Sequence, residues 1–166
     1  MDRWHVFGRA RIVPVVILLS AFIVVALSSS SLNLSAQGGP WEGKYWNNRN
    51  LSGNPVLVRQ DGSINFDWGD GSPAPQVYTD NFSVQWTQTA NLPAGTYRFS
   101  ATTDDGMRVW VDNVMIIDSW FDSQAHTVSA DVYLGAGNHT IVVQYYEAGG
   151  VAVARMNYVQ VGGQTP

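Results

Sequence analysis

The chain has 166 residues, 45% hydrophobic and only 13% charged, with seven Trp, seven Tyr and six Phe. That composition supports one domain with a sizeable core and excludes an intrinsically disordered chain. The net charge is −4, and three of the nine basic residues (Arg3, Arg9, Arg11) but only one of the thirteen acidic ones (Asp2) lie near the N-terminus, so six basic residues face twelve acidic ones beyond it. Such a balance cannot neutralise phosphates, so nucleic acid is excluded as a partner, and calcium or a neutral ligand fits better. There is no cysteine, which removes disulfides, zinc-thiolate sites, thiol nucleophiles and a lipid-modified cysteine anchor together.

The N-terminus reads as a targeting segment. A basic stretch, MDRWHVFGRAR, precedes an apolar run of about sixteen residues, IVPVVILLSAFIVVAL, and then the small, polar SSSSLNLSA. This is the layout of a secretory signal peptide over residues 1–36, with Ala36 as its last residue. The competing reading is a retained membrane anchor. A spanning helix needs roughly twenty apolar residues, and Pro14 interrupts this run. Both readings place the domain, residues 37–166, outside the cell.

Residues 40–75 are rich in turns. The Asp-Gly pairs at 61–62 and 70–71 are turn chemistry, since neither continues the spacing of a helix-loop-helix calcium site. Short alternating runs follow. Phe82, Val84 and Trp86 share one face, as do Tyr97 and Phe99. Met107, Val109 and Val111 oppose Arg108 and Trp110, and the runs VMIID, HTVSADVYL, HTIVVQYY and VAVARMNYV complete the series. Trp86 and Tyr97 read as core. LPAG, VDNV and GAGN divide the runs, and Asp112-Asn113 predicts a tight hairpin turn because both residues tolerate positive φ. Many short strands at this spacing predict an all-β antiparallel sandwich or barrel.

No catalytic set is complete. The chain has neither the G-x-S-x-G elbow nor the H-E-x-x-H zinc motif, and beyond the leader it carries only His126 and His139. His139 reads as a structural residue and His126 as a solvated strand start. A glycosidase needs two carboxylates about 5 to 10 Å apart, and spacing alone does not place a partner opposite Asp104 and Asp105. The adjacent pair Asp104-Asp105 is nevertheless notable. Two carboxylates in a partly desolvated loop repel, which leaves three outcomes: one takes up a proton, both point into water, or a divalent cation sits between them. Calcium is the hard cation that favours clustered oxygen ligands.

The segments WEGKYWNNRNLSGNP, INFDWGDGSP, FSVQWT, AGTYRFSATTDDGMRVWVDNVMIIDSW and VYLGAGNHTIVVQYYEAGGVA, in this order, closely resemble the PA-fourteen domain family, named for a segment of the anthrax toxin protective antigen. The resemblance spans about residues 41–158 and is most specific between Gly95 and Trp120. It implies an antiparallel β-sandwich, a barrel-like variant of the jelly roll, used mostly as a non-catalytic accessory module. In sugar-binding adhesins of that family, two adjacent aspartates joined by a cis peptide bond hold calcium, which grips the hydroxyls of a sugar. Asp104 and Asp105 fall on that pair. Glu147 stands where the adhesins carry Asn, and the backbone near Gly149 and Val151 completes the implied shell. Trp46, Trp120 and Phe121 are the aromatic candidates for stacking on a sugar. The implied partner is a glycan or polysaccharide, with attachment to a cell surface giving avidity. The adhesins also carry disulfides and a subdomain that this chain lacks, so sugar identity does not transfer. The alternative is a structural or protein-interaction domain of the cell envelope.

Overall fold

The computed structural model describes Met1 and residues 39–163. The expected leader, apart from Met1, lies outside the described residues. The chain divides into two units, Met1–Ser31 and Leu32–Pro166, and every strand belongs to the second. Among the described residues no helix is long and apolar enough to cross a membrane.

Among the described residues ten strands run in sequence: β1 (Trp41–Trp46), β2 (Leu57–Asp61), β3 (Ile64–Gly69), β4 (Phe82–Leu92), β5 (Gly95–Asp104), β6 (Gly106–Val111), β7 (Val114–Ser119), β8 (His126–Leu134), β9 (Gly137–Glu147) and β10 (Ala152–Gly162). All paired neighbours are antiparallel. They form two sheets, ordered β2-β1-β4-β9-β6-β7 and β3-β10-β5-β8. The expected all-β sandwich is therefore observed, as two sheets rather than one closed barrel.

The alternation read from the sequence explains the layers. Side chains at i, i+2 and i+4 of a strand share a face, and Phe82, Val84, Trp86, Tyr97, Phe99, Met107 and Val109 are all buried in the core. Tyr45, Trp86, Tyr97 and Tyr145 are among the largest fully buried side chains. Each such side chain contributes about 2 to 3 kcal/mol by leaving water, so the fold holds without disulfides. At the β6–β7 hairpin, Asp112 and Asn113 have φ of 49° and 66°, the left-handed region that the turn requires. Asp112 also braces the β8–β9 turn: its Oδ1 accepts the Thr140 N–H at 2.9 Å and its Oδ2 lies 2.6 Å from His139 Nδ1. His139 is thus structural, as expected.

Among the buried polar side chains, Asp61 is bound into the core itself. Asp61, read from the sequence only as a turn residue, is the buried end of β2. Its Oδ2 accepts hydrogen bonds from Tyr45 Oη (2.6 Å) and Trp86 Nε1 (2.8 Å), and its Oδ1 from Arg59 Nε (2.7 Å). The carboxylate is fully paired, which makes its burial tolerable.

The strand ends matter most for function. β1, β3, β5, β7 and β9 finish, and β4, β6, β8 and β10 begin, at the same end of the sandwich. The loops 47–56, 70–81, 120–125 and 148–151 and the β5–β6 link at Asp105 therefore gather there.

Candidate metal and ligand site

Asp104 closes β5, and Asp105 links it to β6 through a cis Asp104–Asp105 peptide bond. Glu147 closes β9, the neighbour of β6 in the larger sheet. Antiparallel pairing sets Gly106 opposite Tyr146, and this register brings Glu147 beside the acid pair. The three carboxylates come together: one ligand oxygen from each of Asp104, Asp105 and Glu147 lies within 4.8 Å of the other two. Gly106 is required for that approach, since a Cβ there would collide with the Tyr146 ring.

Each acid is differently held. Both Asp105 oxygens accept backbone N–H groups at 2.8 Å, Oδ1 from Ser123 and Oδ2 from Ala148. The pair of donors orients the carboxylate, and each oxygen retains a second lone pair for a cation. Glu147 is fully buried. Its Oε2 accepts the Tyr145 hydroxyl at 2.9 Å, and Tyr145 Oη also contacts the Asp104 carbonyl at 2.5 Å. Glu147 Oε1 has no partner. Among the described residues no Lys or Arg pairs with any of the three acids.

Electrostatics follows from this crowding. Two like charges 4.8 Å apart repel by about 3 to 4 kcal/mol at an effective dielectric of 20. Burial, then the neighbouring Asp105, raises the Asp104 pKa against the opposing Ala125 N–H and His126. Burial foremost pushes Glu147 up to about 7, with Asp105 and Asp104 adding to it, while the Tyr145 hydroxyl and Gly149 N–H hold it back. Burial and the same acids also raise Tyr145 far above its ordinary range.

These residues fit a calcium ion. Calcium takes carboxylate and carbonyl oxygens in a flexible shell, and the cluster offers three carboxylates with no compensating side-chain cation. Glu147 Oε1 is a buried acceptor without a hydrogen-bond partner among the described residues, and such orphans are rare. The other buried orphan among the described residues, Thr103 Oγ1, adjoins Asp104. Gly149 and Val151 lie in the exposed loop after Glu147.

The aromatic candidates separate. Trp46 does not present a stacking face, contrary to the expectation. It is only 7% exposed, and its indole N–H is donated to the Gly53 carbonyl at 3.0 Å. It follows the core residue Tyr45 on β1 and so points to the opposite face of the sheet, where the loop 47–56, through Gly53, covers it. Trp120 is partly exposed in loop 120–125, edge-on to Tyr146 and with Arg108 4.7 Å above its ring. Phe121 is exposed and stacks on His126.

His126 opens β8 as expected but is only partly exposed, and its ring is engaged on both sides. Its Nε2 lies 2.8 Å from the buried Ser119 hydroxyl, and its Nδ1 lies 3.0 Å from the Gln124 carbonyl. It ties down loop 120–125, whose Ser123 N–H holds Asp105. Sequence reasoning also missed Ser123 and Ala148, because they act through backbone N–H groups and no side-chain signal marks them.

A wide cleft of about 860 Å³ opens at the same end, between loops 47–50 and 78–81, Trp120 and Tyr146. Arg49 pairs with Asp122, which also accepts the Tyr146 hydroxyl at 2.7 Å.

A family model described as PA14 domain matches residues 37–165. The chain is 39% identical over 121 residues to the anti-sigma-I factor RsgI3 of Acetivibrio thermocellus, covering 72% of this chain and 19% of that protein. The chain thus spans about a fifth of this relative's length. A solved anti-sigma factor domain-containing protein from Clostridium clariflavum is 33% identical, with a TM-score of 0.68, over 75% of this chain and 42% of the other. A structure titled PA14 sugar-binding domain from RTX adhesin shares the fold at 21% identity and a TM-score of 0.54, over 78% of this chain and 93% of the other.

Proposed function

The chain belongs to the PA14 domain family, and from that premise we propose that it is an exported, non-catalytic, calcium-dependent carbohydrate-binding module. Asp104, Asp105 and Glu147 supply the carboxylate ligands, and backbone carbonyls near Gly149 and Val151 complete the protein side of the shell. Calcium, when bound, supplies a positive centre that accepts sugar hydroxyls as further ligands. The chain's own part is to hold the acids in place. Ser123 and Ala148 N–H groups aim Asp105, Tyr145 aims Glu147, and His126 fixes the loop that carries Ser123. Trp120, at the cleft wall, supplies an apolar ring edge beside the sugar.

The observation that carries this reading is the convergence of three carboxylates around an unpartnered buried oxygen, Glu147 Oε1. A domain of the same fold is titled sugar-binding in an RTX adhesin, which makes a glycan the first ligand to test. The non-catalytic reading rests on what surrounds His126: two serine hydroxyls contact its ring, Ser119 at 2.8 Å and Ser123 at 3.1 Å, Ser119 is 2% exposed, and among the described residues no carboxylate is hydrogen-bonded to the ring to orient it as a base.

Titration calorimetry with calcium on wild type and on the double variant Asp104→Ala, Asp105→Ala tests the metal. Wild type binds and the variant does not; absence of heat in the wild type refutes the metal site. A glycan array with and without chelator tests the ligand. Silence in both arms from folded protein favours the alternative, a structural or protein-interaction domain of the cell envelope.

A further inference from the structure

The cleft beside the acid cluster divides its polar groups into two sets. The first set is spent on building the walls. Asn47 donates to the Gln76 carbonyl and accepts the Tyr78 N–H, and Asn48 Oδ1 accepts N–H groups of Asn50 and Ser52. Both charged walls are likewise occupied. Arg49 is paired with Asp122 and lies 4.7 Å over the Tyr146 ring, and Asp80 Oδ1 accepts the Gly150 N–H at 3.1 Å. The second set is uncommitted: the side chains of Asn50, Tyr78, Thr79 and Asn81 line the cleft, are exposed, and make no side-chain hydrogen bond among the described residues.

The uncommitted set is neutral throughout. It offers two amides and two hydroxyls, donors and acceptors together, and an aromatic ring (Tyr78, 60% exposed). Among the described residues, Arg49 is the one cation that lines the cleft, and it is paired with Asp122. A carboxylate or sulfate on a ligand would meet Asp80 without a compensating charge. Neutral hydroxyls match the free groups one for one.

The cleft is also tied to the acid cluster through two loops. Loop 148–151 is bonded on one side to Asp105 through the Ala148 N–H and on the other to Asp80 through the Gly150 N–H. Loop 120–125 holds Asp105 through Ser123 and Arg49 through Asp122. Two loops therefore link the cleft residues Asp80 and Arg49 to Asp105. At about 860 Å³ the cleft lies near the upper end of ordinary ligand pockets and is several times larger than one sugar ring.

From this we infer that the cleft is an extended subsite for an uncharged oligosaccharide, so that the domain reads several linked neutral sugars rather than one terminal residue. The inference rests on the carbohydrate-binding reading above and adds to it the ligand's length and charge. Asn50, Thr79 and Asn81 bond the hydroxyls of sugars beyond the one at the acid cluster, and Tyr78 covers a ring face at the rim.

The test uses the full chain with calcium present. Titrations are run with cello-, xylo-, manno- and laminari-oligosaccharides of one to six units and with oligogalacturonides as the charged counterpart. At least one neutral series gains about tenfold or more in affinity from the monosaccharide to the tetramer, the scale of one or two added hydrogen bonds, and oligogalacturonides bind more weakly. Tyr78→Ala and Asn81→Gly remove most of the gain and leave calcium titration unchanged. Glycine is chosen at 81 because Asn81 has φ of 54°, which alanine adopts only with strain. Affinity independent of chain length in every neutral series, or tighter binding of the oligogalacturonides, overturns the inference. If calcium still binds in that case, the metal reading survives. A chain-length gain without calcium dependence supports the cleft and refutes the metal-mediated reading instead.

Discussion

Replacing Glu147 by glutamine separates the two sides of the acid cluster, because it removes one charge and keeps the shape. Without an ion, the buried carboxyl titrates near 7 instead of at its ordinary 4.5, chiefly through burial and then through Asp105 and Asp104, with Tyr145 and Gly149 opposing. The sign follows from linkage. A group whose folded pKa is raised contributes stability that is complete below its unfolded pKa and is lost as pH rises through the folded value. The metal-free wild type should therefore lose stability between about pH 4.5 and 7. At about 1.4 kcal/mol per tenfold change in proton affinity, the gap between 4.5 and about 7 corresponds to about 3 kcal/mol. For a domain of this size that is roughly 10 °C in Tm. Glu147→Gln keeps an acceptor for the Tyr145 hydroxyl, so in EDTA at pH 8 the variant is more stable than wild type by up to that amount, and the two converge near pH 5. With calcium the order reverses. An ion bound only to the folded state stabilises it by mass action, and loss of a carboxylate ligand weakens binding by about tenfold or more, since affinity follows ligand charge. Thermal unfolding of both proteins from pH 5 to 8, in EDTA and in calcium, reads all four states. A metal-free Glu147→Gln variant that is less stable than wild type at pH 8 would refute the reasoning, as would a wild type indifferent to both pH and calcium.

Three further outcomes are expected. Asp61→Ala strands Tyr45 Oη, Trp86 Nε1 and Arg59 inside or beside the core, so chemical denaturation should show a loss of about 3 to 5 kcal/mol with no change in calcium affinity measured under native conditions. Gly106→Ala drives a methyl into the Tyr146 ring; the ring must shift, and calcium affinity should fall although no ligand is altered, which calorimetry detects. The Asp112–His139 pair should give a small, pH-bounded contribution. Burial opposes the imidazolium, but the Asp112 hydrogen bond, the Gly135 carbonyl and the Asp112 charge together raise the His139 pKa, while the hydrogen bond from His139 leads in lowering that of Asp112. The contribution is lost as pH rises through the raised His139 value and as it falls through the lowered Asp112 value. Because Asp112 is 47% exposed, solvent screening holds the contribution below about 1 kcal/mol, and His139→Gln should remove it from the pH–stability profile.

Much of the fold was legible because its signals are local. Strand alternation needs only a residue and its second neighbours, so the inward faces of β4, β5 and β6 could be read directly. The Asp112-Asn113 turn was legible for the same reason: positive φ is a property of those two residues. At Asp61 the turn between β2 and β3 was legible, but its buried pairing was not, because its partners Tyr45 and Trp86 lie on other strands. The burial of Trp46 was not legible because it comes from the loop 47–56 folding back over it through Gly53, not from the alternation of β1.

The acid pair itself was visible as a charge conflict, but its resolution was not. By itself the sequence determined an acidic, cysteine-free, all-β chain with two adjacent aspartates at a strand end and a third acid forty-two positions later. Only the tertiary structure decided what they meet. Antiparallel pairing of β6 with β9 set Gly106 against Tyr146 and so brought Glu147 to Asp105. The backbone N–H groups of Ser123 and Ala148, invisible in any side-chain pattern, then oriented the carboxylate between them. The physical reason is that desolvation and like-charge repulsion depend on distance through space, and strand register rather than chain separation sets that distance.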